Sequence, residues 1–230
     1  MAFLPIEEVW TCQPPVGTPI DRSNIFGAAA VVATDQFGRN VCTDEAPTIS
    51  GSRLTTVNVN GAELRLNTSS ALRYSKLTGI GNGDFLATLC VCKMSSTTFE
   101  YVLSGSIDYA GGLHIALEHS TSGGQWSVVG NGLVNGSGNV LTVGRRYILS
   151  ILRIGTTIYL FQDGMPTATP SFSTGSTQVF LDGAWSINEY RPALAYNADS
   201  AIAHISVLKG TFSIAAAKQL AANPWQIFQP

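Results

Sequence analysis

Charge is what this chain has least of. Asp, Glu, Lys and Arg make up 12% of its 230 residues, about half the usual share for a soluble domain. The thirteen basic residues are scattered, Arg145-Arg146 being the one adjacent pair, so no basic face is available to follow a nucleic-acid backbone. Long apolar runs are also missing. The longest, around Ile25 to Ala33, falls far short of the roughly 20 residues that cross a bilayer, and no membrane insertion is expected. The opening MAFLPIEEVW carries two acids where a secretory signal needs an apolar core, which predicts synthesis without a signal peptide. Cysteine is scarce, at four residues. Cys90 and Cys92 stand two apart, on one face of a strand, where extended backbone holds them too far apart for an easy bridge. A Cys-x-Cys with no second Cys/His pair is not a zinc signature, so buried thiols are expected.

What the chain does have is apolar and β-forming. Apolar residues make up 45%, enough for a sizeable core, and no linker or compositional break divides the sequence, so one domain is expected. Its centre is Arg145–Pro166, RRYILSILRIGTTIYLFQDGMP. Tyr147–Arg153 and Thr156–Gln162 are rich in β-branched and aromatic residues. Gly155-Thr156 can supply the positive φ of a short hairpin turn. Asp163-Gly164 gives a second turn, after which Pro166 denies a ladder donor. Tyr147, Leu149 and Ile151 lie on one face and Ile148 and Leu152 on the other, the pattern of a strand inside a two-layer stack.

Further strands are expected at Leu54–Val59 and Glu63–Leu66 around an Asn60-Gly61 turn, and at Phe85–Lys93, Thr98–Leu103 and Gln125–Val129. The alternation of Leu113, Ile115 and Leu117 with His114, Ala116 and Glu118 predicts a half-buried strand. Gln178–Leu181, Trp185–Tyr190 and Ala201–Leu208 complete the set. Gly130–Asn139, GNGLVNGSGN, is glycine-rich enough to predict an exposed loop. One helix is expected, Ile214–Ala222, capped by Ser213 and stopped by Asn223-Pro224. Pro5, Pro14, Pro15 and Pro19 keep Met1–Ser23 out of helix and central strand. Its apolar residues nonetheless predict an ordered arm.

The order Gly, aromatic, apolar strand, Arg153, Gly155-Thr156-Thr157, Ile158-Tyr159-Leu160, Gln, Asp163-Gly164 resembles the central hairpin of concanavalin A-like (laminin G-like) jelly-roll domains. Gly83–Val91 resembles that family's opening core strand. The start, Trp10–Asn24, with its Gln-Pro segment and Ile20-Asp-Arg-Ser-Asn24, is similar to tailed-bacteriophage proteins of this type. So is the end, Asn223-Pro-Trp-Gln-Ile-Phe228. The resemblance implies an all-β, concanavalin A-like jelly-roll β-sandwich with extended terminal arms and one short C-terminal helix. Residues 1–40 would form an ordered N-terminal arm with the entering strand, 41–210 the sandwich, and 211–230 the helix and tail. It also implies a non-enzymatic structural protein of a tailed phage particle, a capsid decoration or tail or baseplate component, made in the host bacterial cytoplasm and contacting other virion proteins.

Chemistry is hard to find. Glucanases of this fold class resemble one another in a Glu-x-Asp-x-x-Glu strand that brings two carboxylates to the roughly 5–5.5 Å of a retaining glycosidase. Here the fifteen acids are dispersed, apart from Glu7-Glu8 and Asp44-Glu45, which read as solvated pairs. A glycoside hydrolase is therefore disfavoured. His114 and Glu118 share a face but stand roughly 13 Å apart on a strand, and His204 sits in an apolar alternation as an interior residue. Laminin G-like domains can hold calcium, for which Asp108, Asp163 and Asp182 are the matching types. Turn chemistry explains them better, and no cofactor is expected.

Two sets of candidate binding residues remain. Tyr109, Trp126, Trp185 and Tyr190 could present aromatic faces to a host-surface glycan, the alternative being a carbohydrate-binding module, although Trp185 alternates with Ile187 and serves equally as core. Phe3, Leu4, Ile6, Val9 and Trp10, with Trp225, Ile227 and Phe228, are apolar groups on segments that cannot enter a sheet. They either pack on their own sandwich or contact a neighbour in a homo-oligomer, most plausibly a trimer.

Overall fold

The computed structural model describes residues 14–15, 17–35, 38–51, 56–58, 62–66, 70–77, 83–93, 100–104, 114–117, 125–130, 133–173, 183–187 and 200–229. It is an all-β sandwich of two antiparallel sheets, as the resemblance implies. One sheet contains eight described strands. In spatial order they are β13 (Met165–Ser173), β12 (Thr157–Gln162), β11 (Arg146–Ile154), β6 (Phe85–Lys93), β15 (Ser200–Lys209), β4 (Ala62–Leu66) and β3 (Thr56–Asn58), with β1 (Ala30–Ala33) joining β15 beside β4. The other contains seven, ordered β10 (Leu133–Val140), β9 (Gln125–Gly130), β8 (His114–Leu117), β7 (Glu100–Ser104), β14 (Gly183–Ile187), β5 (Ala71–Leu77) and β2 (Thr48–Ser50).

The β11–β12 hairpin forms as its sequence predicts. Ile154 pairs with Thr157 across a turn in which Gly155 takes φ 59°, a conformation that costs glycine little. Its amide donates to Asp84 Oδ1 at 2.7 Å, fixing the turn to the start of β6. β11 pairs with β6 from Arg153↔Phe85 to Arg146↔Cys92, and all nine residues of β6 are buried. Both faces of this strand are covered because two cores flank it. Phe85, Ala87, Leu89 and Val91 face the inter-sheet core with Leu149, Ile151, Trp126, Trp185 and Tyr74. Leu86 and Cys90 face a second apolar layer outside the sheet, with Leu152, Phe161, Leu220, Trp225 and Phe228.

That second layer is capped by α2 (Ile214–Ala222), whose N-cap Ser213 accepts from Ala216 N. The helix lies across β11, β12 and β6. The sheet beneath it carries small polar residues in register, Ser150 opposite Thr88 and Thr88 opposite Ser206. The Thr88 and Ser150 hydroxyls are hydrogen-bonded at 2.9 Å. Short side chains on the strands and the buried Ala217 and Ala221 on the helix allow the two backbones to approach closely.

Two sequence expectations are corrected. Gly130–Asn139 is not a loop: β10 pairs with β9 through Leu133↔Gly130, Val134↔Val129 and Ser137↔Ser127, with bulges between. The bulges absorb the extra residues. Gly138 serves close packing, since a Cβ there would overlap the Trp126 indole. The expectation at Pro166 fits the structure: the β12–β13 pairing shifts register just beyond it, between Phe161↔Pro166 and Tyr159↔Ser171. β12 and β13 turn at Asp163 (φ 52°) and Gly164 (φ 77°), and Pro166 pairs with Phe161 on the outermost strand, where a missing donor costs nothing. There is also a second helix, the five-residue α1 (Ile25–Ala29), capped by Asn24, whose side chain accepts from Phe26 N and Gly27 N. Asn60-Gly61 and Gln178–Leu181 lie outside the described residues.

Candidate functional site

The segments Ile20–Asn24 and Asn223–Phe228, from opposite ends of the sequence, meet on the outer face of the eight-stranded sheet. Ile20 bridges Phe228. Asp21 N donates to Ile227 O at 2.8 Å and Gln229 N to Pro19 O at 2.9 Å. Asn24 then ties the ends together with one side chain. Its Oδ1 caps α1, while its Nδ2 donates to Gln226 O and to Asp21 Oδ2, both at 2.9 Å. The Asp21 carboxylate also accepts from Ser23 N and Oγ, and these bonds hold its pKa below the ordinary value. Arg22 completes the N-terminal half by donating to Gly27 O and Ala30 O, each at 2.8 Å. Gly27 admits no side chain, because a Cβ would overlap the Asp21 carbonyl.

The C-terminal half is folded on itself before it meets these groups. Asn223 caps a 3-10 turn, Pro224–Ile227, through its side chain to Trp225 N. Gln226 Nε2 donates to Asn223 O at 2.7 Å and Gln219 O at 3.0 Å, and Gln226 Oε1 accepts from Gln219 Nε2. So Ile20-Asp-Arg-Ser-Asn24 and Asn223-Pro-Trp-Gln-Ile-Phe228 are one clasp made from opposite ends of the sequence.

The aromatic residues of the clasp cover His204 on β15. This side chain is fully buried, with ring centroids 5.2 Å from Trp225 and 5.5 Å from Phe228. His204 Nδ1 lies 2.8 Å from Thr34 O. A carbonyl can only accept, so Nδ1 carries the proton and Nε2 is left as a bare acceptor. Nε2 is buried without a hydrogen-bond partner. Burial pushes the His204 pKa down to about 4, against the upward pull of the Thr34 carbonyl. Beside it, Pro14, Pro15, Thr34, Asp35, Trp225 and Phe228 line a shallow pocket. Interior placement of His204 follows its sequence context; the rings that cover it do not.

The predicted site residues fare unequally. Trp225 (7% exposed), Ile227 (0%) and Phe228 (5%) are buried against their own sandwich, which removes them from the assembly contacts. Their apolar area finds cover within the chain because the 3-10 turn folds them onto β15. Trp126 (0%) and Trp185 (1%) are inter-sheet core residues. Trp126 Nε1 donates to Gln162 Oε1 at 2.9 Å, and Trp185 stacks on Tyr74 at 3.7 Å between centroids. Each alternates with core residues on its strand, so neither offers a face to a glycan. Phe3, Leu4, Ile6, Val9, Trp10, Tyr109 and Tyr190 lie outside the described residues.

Among the described residues, acids and thiols show no catalytic grouping. Asp163 is spent on its turn, accepting from Ile148 N at 2.9 Å and pairing with Arg145 at 3.4 Å; it does not fit a calcium ligand set, and Asp108 and Asp182 lie outside the described residues. Asp44 pairs with Arg39, and Glu45 accepts from Ser75 N and Oγ. Among the described residues no group of three His, Cys, Asp or Glu could hold a metal. Cys90 and Cys92 are buried thiols. No described helix is long and apolar enough to cross a membrane.

No protein-family profile matches this sequence, and no curated protein does. Solved structures match its fold. Trypanosoma rangeli sialidase in complex with sialic acid superposes with a TM-score of 0.64 at 12% identity, over 93% of this chain and 36% of the sialidase. Domain 4 of AbnA, a GH43 extracellular arabinanase from Geobacillus stearothermophilus, in complex with arabinotriose, gives 0.57 at 16% identity, over 84% of this chain and 98% of that domain. The binding domain of botulinum neurotoxin DC in complex with rat synaptotagmin II gives 0.63 at 6% identity, over 87% of this chain and 52% of that one. The chain therefore spans about a third of the sialidase and about half of the neurotoxin domain. These likenesses show a jelly-roll-like β-sandwich, in keeping with the concanavalin A-like resemblance.

Proposed function

We propose that this protein is a non-enzymatic structural component of a tailed-phage particle, a capsid decoration or a tail or baseplate protein. The observation that carries this reading is the clasp. The two phrases that resemble phage proteins stand about 200 residues apart, and Asn24 joins them directly to each other. In this chain the two phrases form one structural feature, and the reading takes them together. A largely uncharged surface suits a chain that hides area against neighbours. The segment Met1–Val9, with its Phe3, Leu4, Ile6 and Val9, is the remaining candidate for contacts in a homo-oligomer, a trimer on this reading. Deleting it should leave the sandwich folded and abolish oligomerisation or incorporation.

Quantitative mass spectrometry of purified particles tests the reading. The chain should be present at a fixed copy number, in hundreds for a capsid decoration and in a few copies for a tail position. Its absence from particles would overturn the proposal. Incubation with β-glucans, chitin or host polysaccharide should release no reducing ends above a blank, and turnover lost on changing one Asp or Glu would contradict the non-enzymatic part.

The second reading is a carbohydrate-binding module. It is favoured by the match to nearly the whole of an arabinotriose-bound domain. With Trp126 and Trp185 in the core, it rests on Tyr109 and Tyr190. A glycan array showing saturable binding that both Tyr→Ala variants abolish would support it over a purely structural role.

A further inference from the structure

We propose that His204 is an acid-operated latch: its protonation releases the C-terminal segment Pro224–Gln229 from the outer face of the sandwich while the two sheets stay folded. The geometry that points to this is the pairing of one satisfied and one orphaned ring nitrogen. Nδ1–H is held by Thr34 O, so an incoming proton must go to Nε2, which is buried without a partner. The cation so formed would have a donor with no acceptor, beneath the rings of Trp225 and Phe228. Burying an unpaired charge in that setting is strongly unfavourable.

The rings of Trp225 and Phe228 offset part of that cost by cation–π attraction, but no neighbouring side chain supplies the missing acceptor. From β6 the residue in register is Cys90, a buried thiol. Along β15 the next residue on the same face is Ser206, whose Oγ also lacks a partner. After β1, Asp35 lines the adjacent pocket, and in the clasp Asp21 is engaged by Ser23 and Asn24. Pro224–Gln229 itself carries no titratable side chain. Nε2 bonds to none of these groups, so water is the remaining acceptor, and it reaches the ring when the segment covering it lifts. That segment is held by bonds from Asp21 N, Asn24 Nδ2 and Gln229 N, by the paired side chains of Gln219 and Gln226, and by the burial of Trp225, Ile227 and Phe228, whereas β15 is held by continuous ladders to its neighbours.

The sign follows from linkage. His204 has a pKa of about 4 when covered and about 6.5 when open, so the covered state is fully favoured above pH 6.5. It loses ground as the pH falls from 6.5 to 4. Over that window the opening equilibrium should rise by up to about 300-fold, the ratio those two values imply.

Hydrogen exchange read by mass spectrometry, corrected for intrinsic rates, tests this on the full chain between pH 3.5 and 7.5. Protection of the peptide containing residues 224–229 should fall by up to about 300-fold, with the midpoint of the change between pH 4 and 6.5, while β6 and β15 keep theirs. His204→Asn retains a donor for Thr34 O and cannot titrate, so its tail protection should not depend on pH. If that variant fails to fold, the His204 ring resonances of the unaltered protein decide the matter. A ring that titrates near 6.5 with no change at Trp225 overturns the latch. Tail protection independent of pH, a pH dependence kept in His204→Asn, or tail and sheets opening together would each overturn it too.

Discussion

The two apolar layers that flank the eight-stranded sheet are built on different principles. Between the sheets, Leu149, Ile151, Phe85, Leu89, Trp126, Trp185 and Tyr74 form a wide core of large side chains, and polar atoms enter it mainly as tips, such as Trp126 Nε1 on Gln162. On the outer face the strands offer Thr88, Ser150, His204 and Ser206, all buried. The cover comes from elsewhere in the chain: α2, the 3-10 turn and the N-terminal half of the clasp. The first layer is packed between two continuous sheets, whereas the second sets apolar cover over a strand face that mixes Leu86, Cys90, Leu152 and Phe161 with buried polar groups, and its clasp is tied by a few long-range hydrogen bonds. The outer layer should therefore be the one that yields first to a change in conditions, and each substitution should cost according to its layer.

The largest effects belong to the inter-sheet core. Leu149→Ala or Ile151→Ala should destabilise the protein by about 2–5 kcal/mol, the range for truncating a buried aliphatic side chain. Urea denaturation followed by circular dichroism checks this, and a silent variant would remove β11 from the centre. Gly138→Ala should come next, at about 1–3 kcal/mol, because its Cβ must displace the Trp126 indole from a packed position. The same change should alter the near-ultraviolet spectrum of the buried indole. Asn24→Ala, in the outer layer, should cost about 1–2 kcal/mol through the lost helix cap and clasp bonds, with accelerated exchange confined to residues 20–29 and 224–229. Smallest is Ser206→Ala. Its Oγ is buried without a partner, so removal should be neutral or stabilising within about 0.5 kcal/mol. A loss above that would show that the outer layer's hydroxyls matter more than their bonding suggests.

The same contrast explains what could be read from the sequence. β11, β12 and β6 were legible because both-face burial writes a continuous apolar run, and the hairpin turn carries a glycine where positive φ is needed. α2 was legible from Ser213 and Asn223-Pro224. Position β10 was not. Its glycines look like a loop until Trp126 is seen to occupy the space a side chain would take. The sequence leaves Trp126 and Trp185 open for a related reason, since an aromatic at a strand end suits a rim or a core equally until the facing sheet is known. The clasp was visible only as two phrases at opposite ends. Nothing local tells Asn24 that Gln226 will be its partner, although a Ser-Asn before an apolar run is a recognisable helix start. The cap signal for α1 is present, but five residues fall below the length at which helical periodicity can be read.

The claim that most needs testing is that the two termini act as one unit. A thermodynamic cycle does this directly, comparing Asn24→Ala in the full chain and in a chain ending at Trp225, each measured by urea denaturation. If the ends form one clasp, the substitution should cost about 1 kcal/mol less in the shortened chain, because its bond to Gln226 O is already gone. Costs that agree to within about 0.3 kcal/mol in the two backgrounds, the additivity expected of independent sites, would contradict the account.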